Sequence, residues 1–90
     1  MKALHIIVHG VVQGVGFRYF TLDVARELGL EGYVKNKPDG SVEIEAQGED
    51  WALNELLSTV RVGPRSAHVS GVEVREIEPR EDFEGFSIRF

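Results

Sequence analysis

The order of its hydrophobic periodicities is the feature that most constrains how this chain folds. Apolar residues alternate with polar ones over residues 4–9, 32–37, 41–47 and 67–77, a spacing typical of strands. They recur at spacings of three and four over residues 17–28 and 49–60, which predicts two amphipathic helices. With a short last strand over 86–90, the order predicts a ferredoxin-like α+β sandwich, in which both helices cover one face of a largely antiparallel sheet.

Glycine and proline mark the predicted boundaries. Gly29 is placed to cap the first helix, and Pro38-Asp39-Gly40 favours a hairpin turn between the second and third strands. Gly63-Pro64 ends the second helix, and Gly71 predicts a bulge in the fourth strand. No internal repeat or linker interrupts residues 1–90, so we expect one domain.

Size and composition exclude several classes of protein. A chain of 90 residues buries only roughly 60–65% of its unfolded surface, which favours a shallow surface site over a deep cavity. A net charge of -5 argues against a general binder of nucleic acid or anionic membrane, and the absence of cysteine excludes thiol nucleophiles and thiolate zinc sites. The apolar run over residues 3–12 is too short to span a membrane, so we expect a cytoplasmic protein.

The segment between the first strand and the first helix carries three glycines within residues 10–18 and ends in Arg18. Glycine permits positive φ, so successive amides can converge on one point beside the helix N-terminus, an arrangement that cradles phosphate. Arg18 adds a planar fork of donors. A tight strand-to-helix turn without a ligand explains the same glycines, and the segment matches neither the nucleotide-triphosphate loop nor the dinucleotide fingerprint.

Two dense segments resemble the two signatures of the acylphosphatase family. The first is Val12-Gln13-Gly14-Val15-Gly16-Phe17-Arg18, and the second runs without a gap from Gly32-Tyr33-Val34-Lys35-Asn36 to Lys37-Pro38-Asp39-Gly40-Ser41-Val42. The likeness continues through Gly63-Pro64, Ala67 and Val69 to Phe86 and Ile88, and so spans essentially the whole chain.

The resemblance implies hydrolysis of acyl phosphates to a carboxylate and inorganic phosphate, without a metal or cofactor. It implies that Arg18 and the backbone amides of the loop bind the phosphoryl group, and that Asn36 positions the attacking water. The amides belong to Gln13, Gly14, Val15, Gly16, Phe17 and Arg18. The expected partners are a small acyl phosphate and inorganic phosphate, which is both product and inhibitor, and we expect a monomer.

The chemistry of the residues agrees with these roles. An acyl phosphate has a good leaving group, so fixed amides and one guanidinium can supply the charge stabilisation that phosphoryl transfer needs. Asn36 is also compatible with a simpler interpretation, since an Asn before a Pro-Asp-Gly turn often bonds the local backbone. Lys35 and Lys37 flank Asn36, and we expect them to join Arg18 in a positive pocket.

Other clusters are assigned structural roles. His5 and His9 lie two pleats apart on one strand face, but no third ligand is near them in sequence, so no metal site is predicted. Glu43 and Glu45 are expected to lie on a solvated sheet face, and Trp51 is expected to pack against the core.

Two alternative functions follow from the same pattern. A non-catalytic phosphate-binding or regulatory module has the same fold, which also occurs fused at the N-terminus of larger carbamoyl-transferring maturation proteins. An RNA-recognition domain shares the order of strands and helices, but it needs exposed aromatic and basic residues where this chain has His5, His9, Glu43 and Glu45.

Overall fold

The computed structural model describes residues 1–90 and has two helices packed on a five-stranded sheet. The elements are β1 (Lys2–Val11), α1 (Phe17–Glu27), β2 (Glu31–Asn36), β3 (Val42–Gly48), α2 (Asp50–Val62), β4 (His68–Ile77) and β5 (Phe86–Arg89). This order and the ferredoxin-like architecture confirm the prediction from the hydrophobic pattern. Neither helix is long and apolar enough to cross a membrane.

The sheet order is β4-β1-β3-β2-β5, with β1 and β3 in its centre. All neighbouring strands are antiparallel except β2 and β5, which run parallel. In β4 one extra residue, Ser70, lies between the partners of His9 and Gly10, so the bulge falls next to the predicted Gly71. The β1–β3 ladder ends at the pair Val8 and Val42, beyond which β1 pairs with β4 alone.

The core lies between the helices and one face of the sheet. That face contributes alternate, fully buried side chains of the two central strands: Leu4, Ile6, Val8, Val42, Ile44 and Ala46. From α1 the buried residues are Phe17, Thr21 and Ala25, one turn apart. The hydroxyl of Thr21 donates to the Phe17 carbonyl at 2.9 Å, which satisfies its polar group within the helix.

The apolar periodicity of residues 17–28 predicts a buried stripe of Phe17, Phe20, Val24 and Leu28, and the observed stripe differs from it. Phe20, Val24 and Leu28 are only partly buried, because the smaller Thr21 and Ala25 face the sheet directly. Residues of this size let the helix approach the sheet closely, while the large apolar side chains cover the flanks of the contact. Hydrophobicity alone does not reveal this arrangement, since threonine counts as polar in the pattern.

The second helix buries Ala52, Leu53, Leu56 and Val60 against the sheet. Trp51 lies at its first turn with 63% of its surface exposed, so the prediction that it packs in the core is wrong. Its position precedes the buried stripe by one residue, and the helix turns its side chain toward solvent.

Along β3 the face of the sheet opposite the helices is not a solvated surface, and the prediction for Glu43 and Glu45 is wrong. Residues 78–85 fold back across it after β4. Arg80 donates its backbone N–H to the side-chain oxygen of Gln47 at 2.7 Å, and its carbonyl accepts from the Gln47 amide at 2.6 Å. Under this cover Gln47 is 2% and Glu45 8% exposed.

Glu43 is held on the same face by polar partners. The hydroxyl of Tyr33 donates to one carboxylate oxygen at 3.2 Å, and His5 Nε2 lies 2.9 Å from the other. Burial is the largest single influence on the pKa of Glu43 and raises it, but the hydrogen bonds from His5 and Tyr33 and the electrostatic influence of His5 and Lys35 together lower it by more, so the net shift is downward. Burial and the charges of Glu43 and Glu45 raise the pKa of Tyr33 to about 12.

Candidate active site

The junction of β1 and α1 forms a loop whose shape depends on glycine. Gly14 and Gly16 have φ values of +75° and +79°, in the left-handed region that side chains with a Cβ rarely adopt. Gly16 is the N-cap of α1 and provides no side chain to cap the helix. The loop therefore brings the chain to the start of α1 without covering the helix terminus.

The amides of this junction are free to bind an anion. In α1 the first backbone hydrogen bond runs from the N–H of Phe20 to the carbonyl of Gly16, at 3.0 Å. The N–H groups of residues 13–19 donate to no acceptor within the protein, and the first turn of α1 contains no acidic residue. Open donors at the positive end of a helix dipole make a binding site for phosphate.

Most residues of this junction line a pocket of about 140 Å³. Five of the residues that the sequence predicts for the site line it: Gly14, Gly16, Phe17, Arg18 and Asn36. Val12 and Tyr19 also line the pocket and are absent from the predicted set, although they directly flank the predicted segment. Gln13 and Val15 do not line it.

Arg18 provides the positive charge of the pocket. Its guanidinium lies 5.1 Å from the ring centroid of Phe90, and no carboxylate forms an ion pair with it. A cation stacked on one exposed aromatic ring keeps its N–H donors available for a ligand. Its charge is thus not neutralised by an acidic partner.

Asn36 is the last residue of β2, and the alternation of that strand turns it to the helix side of the sheet. Its Oδ1 is buried and has no hydrogen-bond partner, although the residue lines the pocket. The local backbone bond that an Asn before a turn often makes is not formed. Asp39 takes that role instead, accepting from the backbone N–H and the hydroxyl of Ser41 at 3.0 and 2.6 Å.

The positive pocket predicted from Lys35, Lys37 and Arg18 is not present. Neither lysine lines the pocket. Lys35 alternates to the opposite face of β2, where its charge is one of the influences that lower the pKa of Glu43. Arg18 and the open amides therefore form the electropositive part of this site without the lysines.

The histidines of β1 lie apart from this pocket. His5 contacts Glu43 and His9 contacts Glu73, so each has its own carboxylate. No group of three or more His, Cys, Asp or Glu side chains is close enough together to hold a metal ion.

Known proteins resemble this chain over its full length. The profile of the acylphosphatase family matches residues 4–88. An acylphosphatase from Archaeoglobus fulgidus is 57% identical over 90 residues, which is all of both chains. The crystal structure of acylphosphatase from Bacillus subtilis has a TM-score of 0.95 and 42% identity, again over all of both chains.

A longer protein contains a similar fold. The structure of full-length HypF in its phosphate- and nucleotide-bound form matches 99% of this chain but only 12% of its own, with a TM-score of 0.86 and 28% identity. The architecture thus also occurs as one part of a much larger chain.

Proposed function

The chain belongs to the acylphosphatase family, and we propose that its hydrolysis of acyl phosphates takes place in the pocket between the β1–α1 junction and Asn36. One observation carries this assignment. Residues of the loop with unpaired amides, the unpaired guanidinium of Arg18 and the residue Asn36, whose Oδ1 has no partner, line a single space large enough for a phosphoryl group.

The phosphoryl group binds at the positive end of α1. Its oxygens accept hydrogen bonds from the amides of residues 13–18, which have no acceptor within the protein, and the positive φ of Gly14 and Gly16 lets successive amides turn toward the anion. Arg18 supplies two parallel N–H donors to a pair of phosphoryl oxygens. These donors are fixed before the substrate arrives, so little reorganisation is needed as charge shifts during the reaction.

Asn36 orients the attacking water. A half-turn of its amide brings Oδ1 into the pocket, and this turn breaks no hydrogen bond because Oδ1 has none. In that orientation the oxygen accepts one O–H of the water, and a lone pair of the water points at phosphorus. A neutral amide does this without gaining or losing a proton, so the role is positioning rather than base catalysis.

The reaction itself places few demands on the protein. The bond from the water oxygen to phosphorus forms as the bond from phosphorus to the acyl oxygen breaks, and that electron pair leaves as a carboxylate. The products are a carboxylate and inorganic phosphate, with the protons of the water passing to phosphate and solvent. Because a carboxylate is a stable leaving group, the loose transition state needs charge stabilisation and alignment more than acid catalysis.

Inorganic phosphate uses the same donors as the substrate, so it inhibits competitively. In this scheme the protein supplies all the positive charge, and a chelator leaves the rate unchanged. No observation favours a non-catalytic module over the enzyme.

The experiment measures hydrolysis of benzoyl phosphate by Arg18→Gln, Arg18→Lys and Asn36→Ala. We expect kcat/KM to fall at least about 100-fold in each. The arginine variants lose affinity for inorganic phosphate, since lysine lacks the fork of donors, whereas Asn36→Ala loses mainly kcat. Arg61→Gln and Asn54→Ala are the matched controls, because both residues are exposed on α2 and lie outside the pocket.

Near-wild-type turnover in Arg18→Gln or Asn36→Ala, with the fold intact by circular dichroism, contradicts this assignment of the site. A rate that depends on added divalent metal contradicts the proposed source of positive charge.

A further inference from the structure

The side chain of Gln13 lies between the phosphate-binding loop and the β2–β3 turn. Its Nε2 donates one hydrogen bond to the carbonyl of Lys37 and one to the carbonyl of Ser41, both at 2.8 Å. Both amide hydrogens are therefore used, and the residue does not line the pocket. The Gln13 side chain is thus committed to the backbone of the turn rather than to a ligand.

The two carbonyls lie at the base of the turn that follows Asn36. The N–H of Lys37 donates to the Ser41 carbonyl at 2.9 Å, which closes the turn, and Lys37 is the next residue after Asn36. Gln13 thus connects the loop that holds the open amides to the backbone directly beside Asn36. The connected residues are 24 and 28 positions apart in the chain.

The sheet alone does not make this connection. Hydrogen bonding between β1 and β3 ends at Val8 and Val42, and the last residues of β1 pair only with β4. The β1–α1 loop therefore lies beyond the last residues that pair β1 with β3. Beyond the end of the β1–β3 ladder, Gln13 provides the side-chain hydrogen bonds between the loop and the β2–β3 turn.

We propose that Gln13 is a positioning residue that sets the distance between the bound phosphoryl group and the water held by Asn36, an inference that rests on the proposed function. In-line attack depends on alignment, and a misplacement of about 1 Å can cost roughly 100-fold in rate. The phosphate donors belong to the loop and move with it. Loss of the Gln13 hydrogen bonds therefore misaligns the water while leaving phosphate binding largely intact.

The test replaces Gln13 by methionine, which has a similar length but no donor, and by glutamate, whose carboxylate faces two carbonyls without a proton to donate. We expect kcat for benzoyl phosphate to fall about 10- to 100-fold in both variants. The dissociation constant of inorganic phosphate, measured by calorimetry, stays within about threefold. A general loss of structure would change both kcat and the dissociation constant of inorganic phosphate. A fall in kcat alone therefore indicates that Gln13 has a positioning role.

Gln47 supplies the matched control. Its side chain also donates to a backbone carbonyl, that of Arg80, and it holds residues 78–85 against the sheet. Gln47 does not line the pocket. Gln47→Met is expected to lower the midpoint of thermal unfolding without lowering kcat. If Gln47→Met reduces kcat as much as Gln13→Met, the effect is one of general stability and the proposal fails.

A double variant tests whether Gln13 acts through Asn36. Once Asn36→Ala has removed the group that orients the water, Gln13→Met has little left to misalign, so we expect it to lower the remaining kcat by less than about threefold. An equal loss in both backgrounds overturns the proposal, as does an unchanged kcat in Gln13→Met and Gln13→Glu. If Arg18→Gln and Asn36→Ala are themselves fully active, it is the proposed site that fails instead.

Discussion

Replacing Asn36 by leucine is expected to make the protein more stable and inactive. The buried Oδ1 of Asn36 has no hydrogen-bond partner, and an unsatisfied buried acceptor costs about 1–3 kcal/mol. Leucine removes that acceptor, because its two methyl groups take the places of Oδ1 and Nδ2, and the adjacent pocket of about 140 Å³ offers room for their larger volume. Leucine also suits a strand better than asparagine, an effect of at most about 1 kcal/mol.

The expected gain in the free energy of unfolding is therefore about 1–3 kcal/mol. For a domain of this size, each kcal/mol raises the midpoint of thermal unfolding by roughly 4–8 °C. Turnover of benzoyl phosphate falls at least about 100-fold, because leucine cannot orient water. Such opposite changes are typical of a group kept in an unfavourable environment for its function.

The assay is urea unfolding followed by circular dichroism in a buffer without phosphate, because a bound anion would stabilise the wild type. Asn54→Leu on the exposed side of α2 shows what the same substitution contributes where no buried acceptor is removed. An Asn36→Leu variant no more stable than the wild type refutes the reasoning. It would mean that Oδ1 has a satisfying partner in solution.

Two further predictions concern the polar face of the sheet and its backbone. Because the pKa of Tyr33 is raised to about 12, the folded state favours the neutral phenol, and stability falls as the pH rises from about 10 to 12, by roughly 1–2 kcal/mol because solvent partly screens the phenol. Urea unfolding at the two ends of this range should show a smaller loss in Tyr33→Phe, and an equal loss contradicts the assignment. Gly32→Ala is expected to cost more than about 3 kcal/mol, because φ is +142° and the new Cβ would lie 1.8 Å from the Glu45 carbonyl oxygen. Gly40→Ala, with φ of +94° and no atom within 4 Å, is its control and costs about 1–2 kcal/mol; similar unfolding midpoints for the two alanine variants would exclude the clash.

The periodicity predicted the architecture well because it reflects burial directly. Strands with one apolar face and helices with one apolar stripe can bury those surfaces against each other in only a few arrangements. The order of the elements therefore specified the sandwich. The same reasoning misplaced Trp51 and the centre of the α1 stripe. Those details depend on which side chain fits against the sheet, and hydrophobicity does not encode fit.

The polar face shows a different limit of sequence reasoning. Glu43 and Glu45 alternate with apolar residues, a pattern that indicates a solvated face. Glu45 is instead covered by residues 78–85, which return across the sheet, and Glu43 forms hydrogen bonds with Tyr33 and His5. Contacts such as Gln47–Arg80 and His5–Glu43, which join residues 33 and 38 positions apart, leave no local signal in the sequence.

The sequence by itself indicated which groups the proposed site uses. The glycines at positions 14 and 16 and Arg18 stand out from residue type and spacing, because positive φ and a planar cation are local properties. Asn36 is assigned by the resemblance of residues 32–42 to the second acylphosphatase signature, since its type and position also fit a local backbone bond. Only the tertiary structure decided their arrangement. It turned Lys35 to the opposite face, left Oδ1 of Asn36 without a partner and joined Gln13 to the β2–β3 turn. The physical reason is that orientation and hydrogen-bond partners are set by packing between distant segments, after each segment has adopted its local structure.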